Sequence, residues 1–94
     1  MSDLPEWYIR KSHYFEETFA ACVPDKGIRG EIERGIRFAL SHFPEHGKFT
    51  GQSAPLPIYT WKILHTPQYP ALTVFYTFGV GKLVLISVRL SGNE

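Results

Sequence analysis

The stretch Leu72 to Leu90, LTVFYTFGVGKLVLISVRL, constrains the fold more than any other part of the chain. Thr73 to Phe78 are all β-branched or aromatic, the residue types that pack well on a pleated surface. Leu83 to Val88 is apolar except for Ser87. A run that apolar predicts a strand in the middle of a sheet, covered on both faces. Between the two strands, Gly79-Val80-Gly81 supplies the positive φ that a short hairpin needs. The rest of the chain must then cover this hairpin.

Trp7-Tyr8-Ile9-Arg10 reads as a first strand, with Trp7 and Ile9 on one side and Tyr8 and Arg10 on the other. Ser12 fits the N-cap of a helix over residues 13–22, because its hydroxyl can accept from first-turn amides. Phe15, Phe19, Cys22 and Val23 share one face of that helix, and Pro24 ends it. Asp25 caps a second helix running to about Phe43. Its apolar positions Ile28, Ile32, Ile36, Ala39, Leu40 and Phe43 follow the 3.6-residue period. Gly27, Gly30 and Gly35 each cost that helix about 1 kcal/mol against alanine. Gly35 lies near the apolar face, where a missing side chain lets another backbone come close.

Residues 45–57, EHGKFTGQSAPLP, read as a loop. Ile58 to His65 returns to strand chemistry, with Tyr59, Trp61 and Ile63 on one face and Thr60 and Lys62 on the other. The order is β-α-α-β-β-β. Helices that cannot bury their faces alone pack on one side of the sheet. The expected fold is α+β, a two-layer arrangement with a helical hairpin on a mostly antiparallel four-stranded sheet. Trp7, Phe15, Phe19, Ile32, Ile36, Leu40, Val74, Leu83 and Leu85 are the expected core.

The chain has 94 residues, which suits a single domain spanning 1–94. A net charge of +1 shows no general attraction to polyanions, although a local basic patch is compatible with it. One cysteine, Cys22, makes no internal disulfide, and with no signal-peptide pattern a cytoplasmic location is expected. No apolar run reaches the roughly 18 residues of a membrane span. His42 and His46 are four apart, a metal spacing only on an unbroken helix. Pro44 intervenes, so no metal site is expected, and no cofactor motif is present.

Three pieces of local texture accompany this element order. The first strand is followed by Ser-x-x-Phe-x-x-x-Phe. The second helix carries Ile-x-x-x-Ile-x-x-x-Ile-x-x-Ala-Leu and closes on His42-Phe43-Pro44. The end is Val74-Phe75-Tyr76, a tight turn, then Leu83-Val84-Leu85-Ile86-Ser87-Val88-Arg89. With these features the chain, from about Trp7 to Leu90, resembles the RelE/ParE toxin superfamily of bacterial toxin–antitoxin modules. The resemblance implies a toxin neutralised by an antitoxin protein. It implies one of two activities: metal-independent cleavage of messenger RNA on the ribosome, or inhibition of DNA gyrase.

Cleavage of RNA through its 2′-OH needs a base for the hydroxyl, cations for the developing charge and an acid for the leaving oxygen. In the resemblance, Arg89 matches the basic residue ending the last strand, and Lys62 a basic position on the strand before the closing hairpin. His65, with an unperturbed pKa near neutrality, completes the candidate catalytic set. Arg10 and Lys11 extend a basic rim for RNA, joined by Tyr76, which matches an aromatic of the penultimate strand. Many ribonuclease members carry arginine where this chain has Thr73, and several carry basic and tyrosine residues where its tail reads Ser91-Gly92-Asn93-Glu94. The alternative is therefore a non-catalytic module of the same fold, whose Tyr59, Trp61 and Tyr69 would serve a protein partner or a second copy in a homodimer.

Overall fold

The computed structural model describes residues 8–53, 56–79 and 81–91. Its elements are β1 (Tyr8–Lys11), α1 (His13–Cys22), α2 (Lys26–His42), a 3-10 turn (Pro44–His46), β2 (Lys48–Ser53), β3 (Leu56–Ile63), β4 (Leu72–Gly79) and β5 (Lys82–Leu90). The α+β class and the helical hairpin are as expected from the sequence. The sheet differs: it has five strands in the order β1-β5-β4-β3-β2, and β1 runs parallel to β5. The two intervening helices give the crossover length that a parallel pair requires.

The additional strand, β2, comes from the stretch read as a loop. Gly51, Gln52 and Ser53 have little strand preference of their own. The antiparallel edge of β3 supplies their backbone partners, from Lys48↔Thr60 to Ser53↔Leu56. The register shifts between Phe49 and Gly51, and the Thr50 hydroxyl donates to the Ile58 carbonyl at 3.0 Å. β3 starts at Leu56 and stops at Ile63, so Leu64 and His65 fall beyond it.

Both helix starts are capped as the sequence predicts. Ser12 Oγ accepts from Phe15 N at 2.9 Å, and Asp25 Oδ1 accepts from Ile28 N at 3.0 Å. The α1 face carrying Phe15 and Phe19 and the α2 face carrying Ile32, Ile36 and Leu40 bury against Leu72, Val74, Tyr76, Leu83, Leu85 and Val88. Of the expected core residues, Trp7 lies outside the described residues; all the others are buried. The Gly79-to-Gly81 turn carries its positive φ at Gly81, 68°. Among the described residues Gly35 serves no close approach of another segment, since outside its own helix turn nothing lies within 4 Å of where its Cβ would sit.

β5 is an interior strand, yet only one of its faces is covered by helices. Leu83, Leu85 and Val88 are buried on that face, whereas Val84, Ile86 and Ser87 are half-buried. The apolar run therefore goes with interior position and with helix cover on one face. β1 accompanies β5 only as far as Lys11↔Leu85. Beyond that point α1 takes over the outer backbone edge. Ser12 N donates to Leu85 O at 3.0 Å and Ser12 Oγ to Ile86 O at 2.9 Å. Val88 N donates to Thr18 Oγ1 at 2.9 Å, and the Cys22 thiol lies 3.7 Å from Val88 O. Burial pushes that thiol above its ordinary pKa, against a backbone hydrogen bond that lowers it.

Tyr76 ties the sheet to the start of β2. It is fully buried, donates its hydroxyl hydrogen bond to Pro44 O at 2.6 Å and accepts one from Gly47 N at 2.9 Å. Burial raises the phenol's pKa, opposed by the Gly47 backbone hydrogen bond, so the group stays neutral and able to donate. A Cβ on Gly47 would collide with the Tyr76 hydroxyl and with Thr60 O. Tyr76→Phe leaves one buried carbonyl and one amide without their partner. It is expected to lower the unfolding free energy by about 1–3 kcal/mol in denaturant titration. Gly47→Ala is expected to destabilise as well, because the crowding atoms include backbone.

Candidate nucleic-acid interface

Alternation along each strand, read with the register, sorts the sheet's side chains into two faces. The face away from the helices is built in rows. Lys62, Thr73 and Arg89 stand side by side across β3, β4 and β5. The next row is Lys48, Thr60, Phe75 and Ser87. Arg10, Val84 and Thr77 form the third, and Lys82 stands at the start of β5 on the same face. With strands about 4.8 Å apart, the Lys62 and Arg89 Cα atoms are separated by roughly 10 Å, within joint reach of one phosphodiester segment.

Arg10, Lys48, Lys62, Lys82 and Arg89 are all exposed. No described strand residue is Asp or Glu. The described carboxylates belong to α1, to α2 and its cap, and to the 3-10 turn. Among the described residues charge is thus segregated, with one basic sheet face and a mixed helical layer. On the basic face the Arg89 guanidinium lies 5.4 Å from the Phe75 ring centroid, a cation–π contact that restrains its position. Thr73 and Ser91 share a hydroxyl hydrogen bond of 2.8 Å beside it.

The residues singled out from sequence divide among several places. Arg89, Lys62 and Arg10 share the open face. His65 is exposed two residues past the end of β3, outside the paired rows. Tyr76 and Lys11 are on the opposite face, which corrects their assignment to an RNA-contacting surface. Tyr76 is buried in the core. Lys11 reaches Glu33 at 3.1 Å and Glu16 at 3.7 Å on the helices. Arg10 and Lys11 are adjacent in β1, so they cannot point the same way. Lys48 is not evident from the sequence because residues 45–57 have loop composition, nor is Lys82, because it adjoins the turn. The period-2 alternation of Lys82 with Val84 was the available signal.

This arrangement can bind a polyanionic backbone and stabilise charge developing on a phosphate. Among the described strand residues there is no histidine or carboxylate to take a proton on that face. Among the described residues no group of three or more His, Cys, Asp or Glu side chains could hold a metal ion. No described helix is long and apolar enough to cross a membrane. No family model matches the chain, and neither a curated protein nor a solved structure matches it.

Lys11 belongs to an ion-pair group on the helical side, where Glu33 also bonds Arg37 at 3.1 Å. Burial acts to raise the Glu33 pKa, but the hydrogen bonds and charges of Lys11 and Arg37 outweigh it and hold the carboxyl below the usual value. A lowered folded-state pKa stabilises the fold above the unfolded glutamate pKa, and that contribution fades as pH falls through the folded value. Glu33→Gln is expected to cost about 0.5–1 kcal/mol at neutral pH. The cost should shrink toward zero at acid pH when urea midpoints are compared across the range.

Proposed function

We propose that this chain is a toxin-like protein of a toxin–antitoxin module that inhibits translation by engaging RNA on its open sheet face. The observation that carries the reading is the gathering of five exposed cations, with no strand carboxylate, on one side of the sheet. Phosphate contacts of this kind supply affinity without reading sequence. Arg89 and Lys62, level with each other across Thr73, are the proposed phosphate ligands, and Arg89 is the group suited to stabilise charge in a cleavage step. His65 would have to act from beyond the strand end, as general base. The RelE/ParE resemblance and the β-α-α sequence of elements preceding the closing strands support the toxin reading. An antitoxin protein and the ribosome with its messenger RNA are the proposed partners, with gyrase as the other target, in the cytoplasm of a bacterium.

A second reading is a binding module of the same fold without cleavage. The lack of a proton acceptor among the strand residues of the basic face favours it. Cleavage and binding are separable by following a labelled single-stranded RNA, alone and on ribosomes, for products as well as for retention.

Controlled induction in a bacterium, with translation and DNA synthesis followed together, tests the proposal. Early loss of translation is expected. Loss of DNA synthesis first would redirect it to gyrase, and unaffected growth at good soluble expression would remove the toxin reading. Lys62→Ala with Arg89→Ala is expected to abolish the effect while leaving the circular dichroism spectrum unchanged. In RNA binding, the same pair should reduce the slope of log K against log salt by about 1.4, at about 0.7 per phosphate contact on a single strand.

A further inference from the structure

On the helical side, the sheet extends past α2 and leaves a cleft. One cavity of about 190 Å³ is lined by Glu31, Ile32, Gly35, Trp61, Ile63 and Tyr69, together with Ile36. It shares Glu31, Ile32 and Tyr69 with a neighbouring cavity of about 350 Å³ that runs along the 66–69 turn. Gly35 lines the cleft without a side chain, and among the described residues outside its own helix turn nothing comes within 4 Å of its Cβ direction. A helix glycine carries an energetic cost, and here no neighbouring backbone uses the space it leaves.

The lining has a definite chemistry. Trp61 and Tyr69 contribute aromatic surface, and Ile32 and Ile63 are aliphatic. Glu31, exposed on α2, is the only charged residue lining either cavity among the described residues. Among the described residues it has no ion-pair partner. Tyr69 is held in place by its turn. Thr66 N donates to Tyr69 O at 2.9 Å and Tyr69 N to Thr66 O at 3.3 Å. Thr66 Oγ1 also accepts from Gln68 N at 3.1 Å. An aromatic pair with one carboxylate and no competing cation is suited to a bulky, weakly hydrated cation. The ring quadrupoles and Glu31 attract its charge, while the aliphatic side chains take its alkyl groups.

We propose that this cleft binds a quaternary ammonium group, independently of the basic sheet face. Choline is the probe, titrated calorimetrically into the full chain at constant ionic strength. Its neutral isostere 3,3-dimethyl-1-butanol and the primary ammonium ethanolamine serve as comparisons. Saturable choline binding is expected, with both comparison compounds roughly tenfold weaker. Glu31→Gln should weaken choline several-fold without changing the affinity for the isostere. Tyr69→Leu and Trp61→Leu should each weaken choline several-fold, with thermal unfolding checking that each variant folds. Equal binding of choline and its isostere would overturn the proposal by showing a merely apolar cleft. Equal binding of ethanolamine would overturn the quaternary preference. Failure of choline to saturate would overturn the site itself.

Discussion

The fold depends on how the backbone of β5 is satisfied. That strand is bonded by β4 along one side and by the short β1 along the first part of the other. Where β1 ends, an open edge would leave amides and carbonyls of a partly buried strand without partners, each costing about 1–3 kcal/mol where water cannot reach it. Ser12, Thr18 and Cys22 fill that role from α1. The helix is therefore fixed both by its Phe15–Phe19 face and by polar contacts with the strand. Ser12 does two things at once: its hydroxyl caps α1 and donates to Ile86 O. This fixes the turn from strand into helix.

Locking α1 to that edge also decides which face of the sheet the helices cover. With α1 and α2 gathered on one face, the other face presents strand side chains that these helices do not cover. The helices take the carboxylates and engage Lys11 and Arg37 with Glu33. The strands' remaining cations stay on the open side. Among the described residues, charge segregation follows from topology. Attraction between the basic face and a polyanion would act over about a Debye length, roughly 8–10 Å at physiological salt.

The aromatic residues show the same division of labour. Tyr59, Tyr76 and Phe78 stack on the helical side, with ring centroids 4.7 to 6.2 Å apart. Phe49 adds an edge contact to Tyr59 at 5.6 Å. Tyr76 links this cluster to the 3-10 turn, which places Lys48 at the start of β2. Phe75, one residue before Tyr76, points the other way and supports Arg89. Neighbouring residues of one strand thus serve opposite layers, one structural and one facing the proposed ligand.

Local pattern determined the helices, their caps, the closing hairpin and the buried faces, because each rests on residues within a turn or two of one another. The periodicity of Ile28, Ile32, Ile36 and Leu40, the Ser12 and Asp25 caps, and the β-branched run of β4 were all legible in this way. Arg10, Lys62 and Arg89 could be placed on strands, but their common face could not, since it depends on pairing between segments far apart in the chain. Tertiary structure alone decided that β1 runs parallel to β5, that residues 48–53 become a strand on the β3 edge, and that Tyr76 and Lys11 turn toward the helices. It also decided that the space beside Gly35 is left open. The reason is physical: hydrogen-bond partners and register come from distant strands, and a one-residue change of register would turn every side chain to the other face.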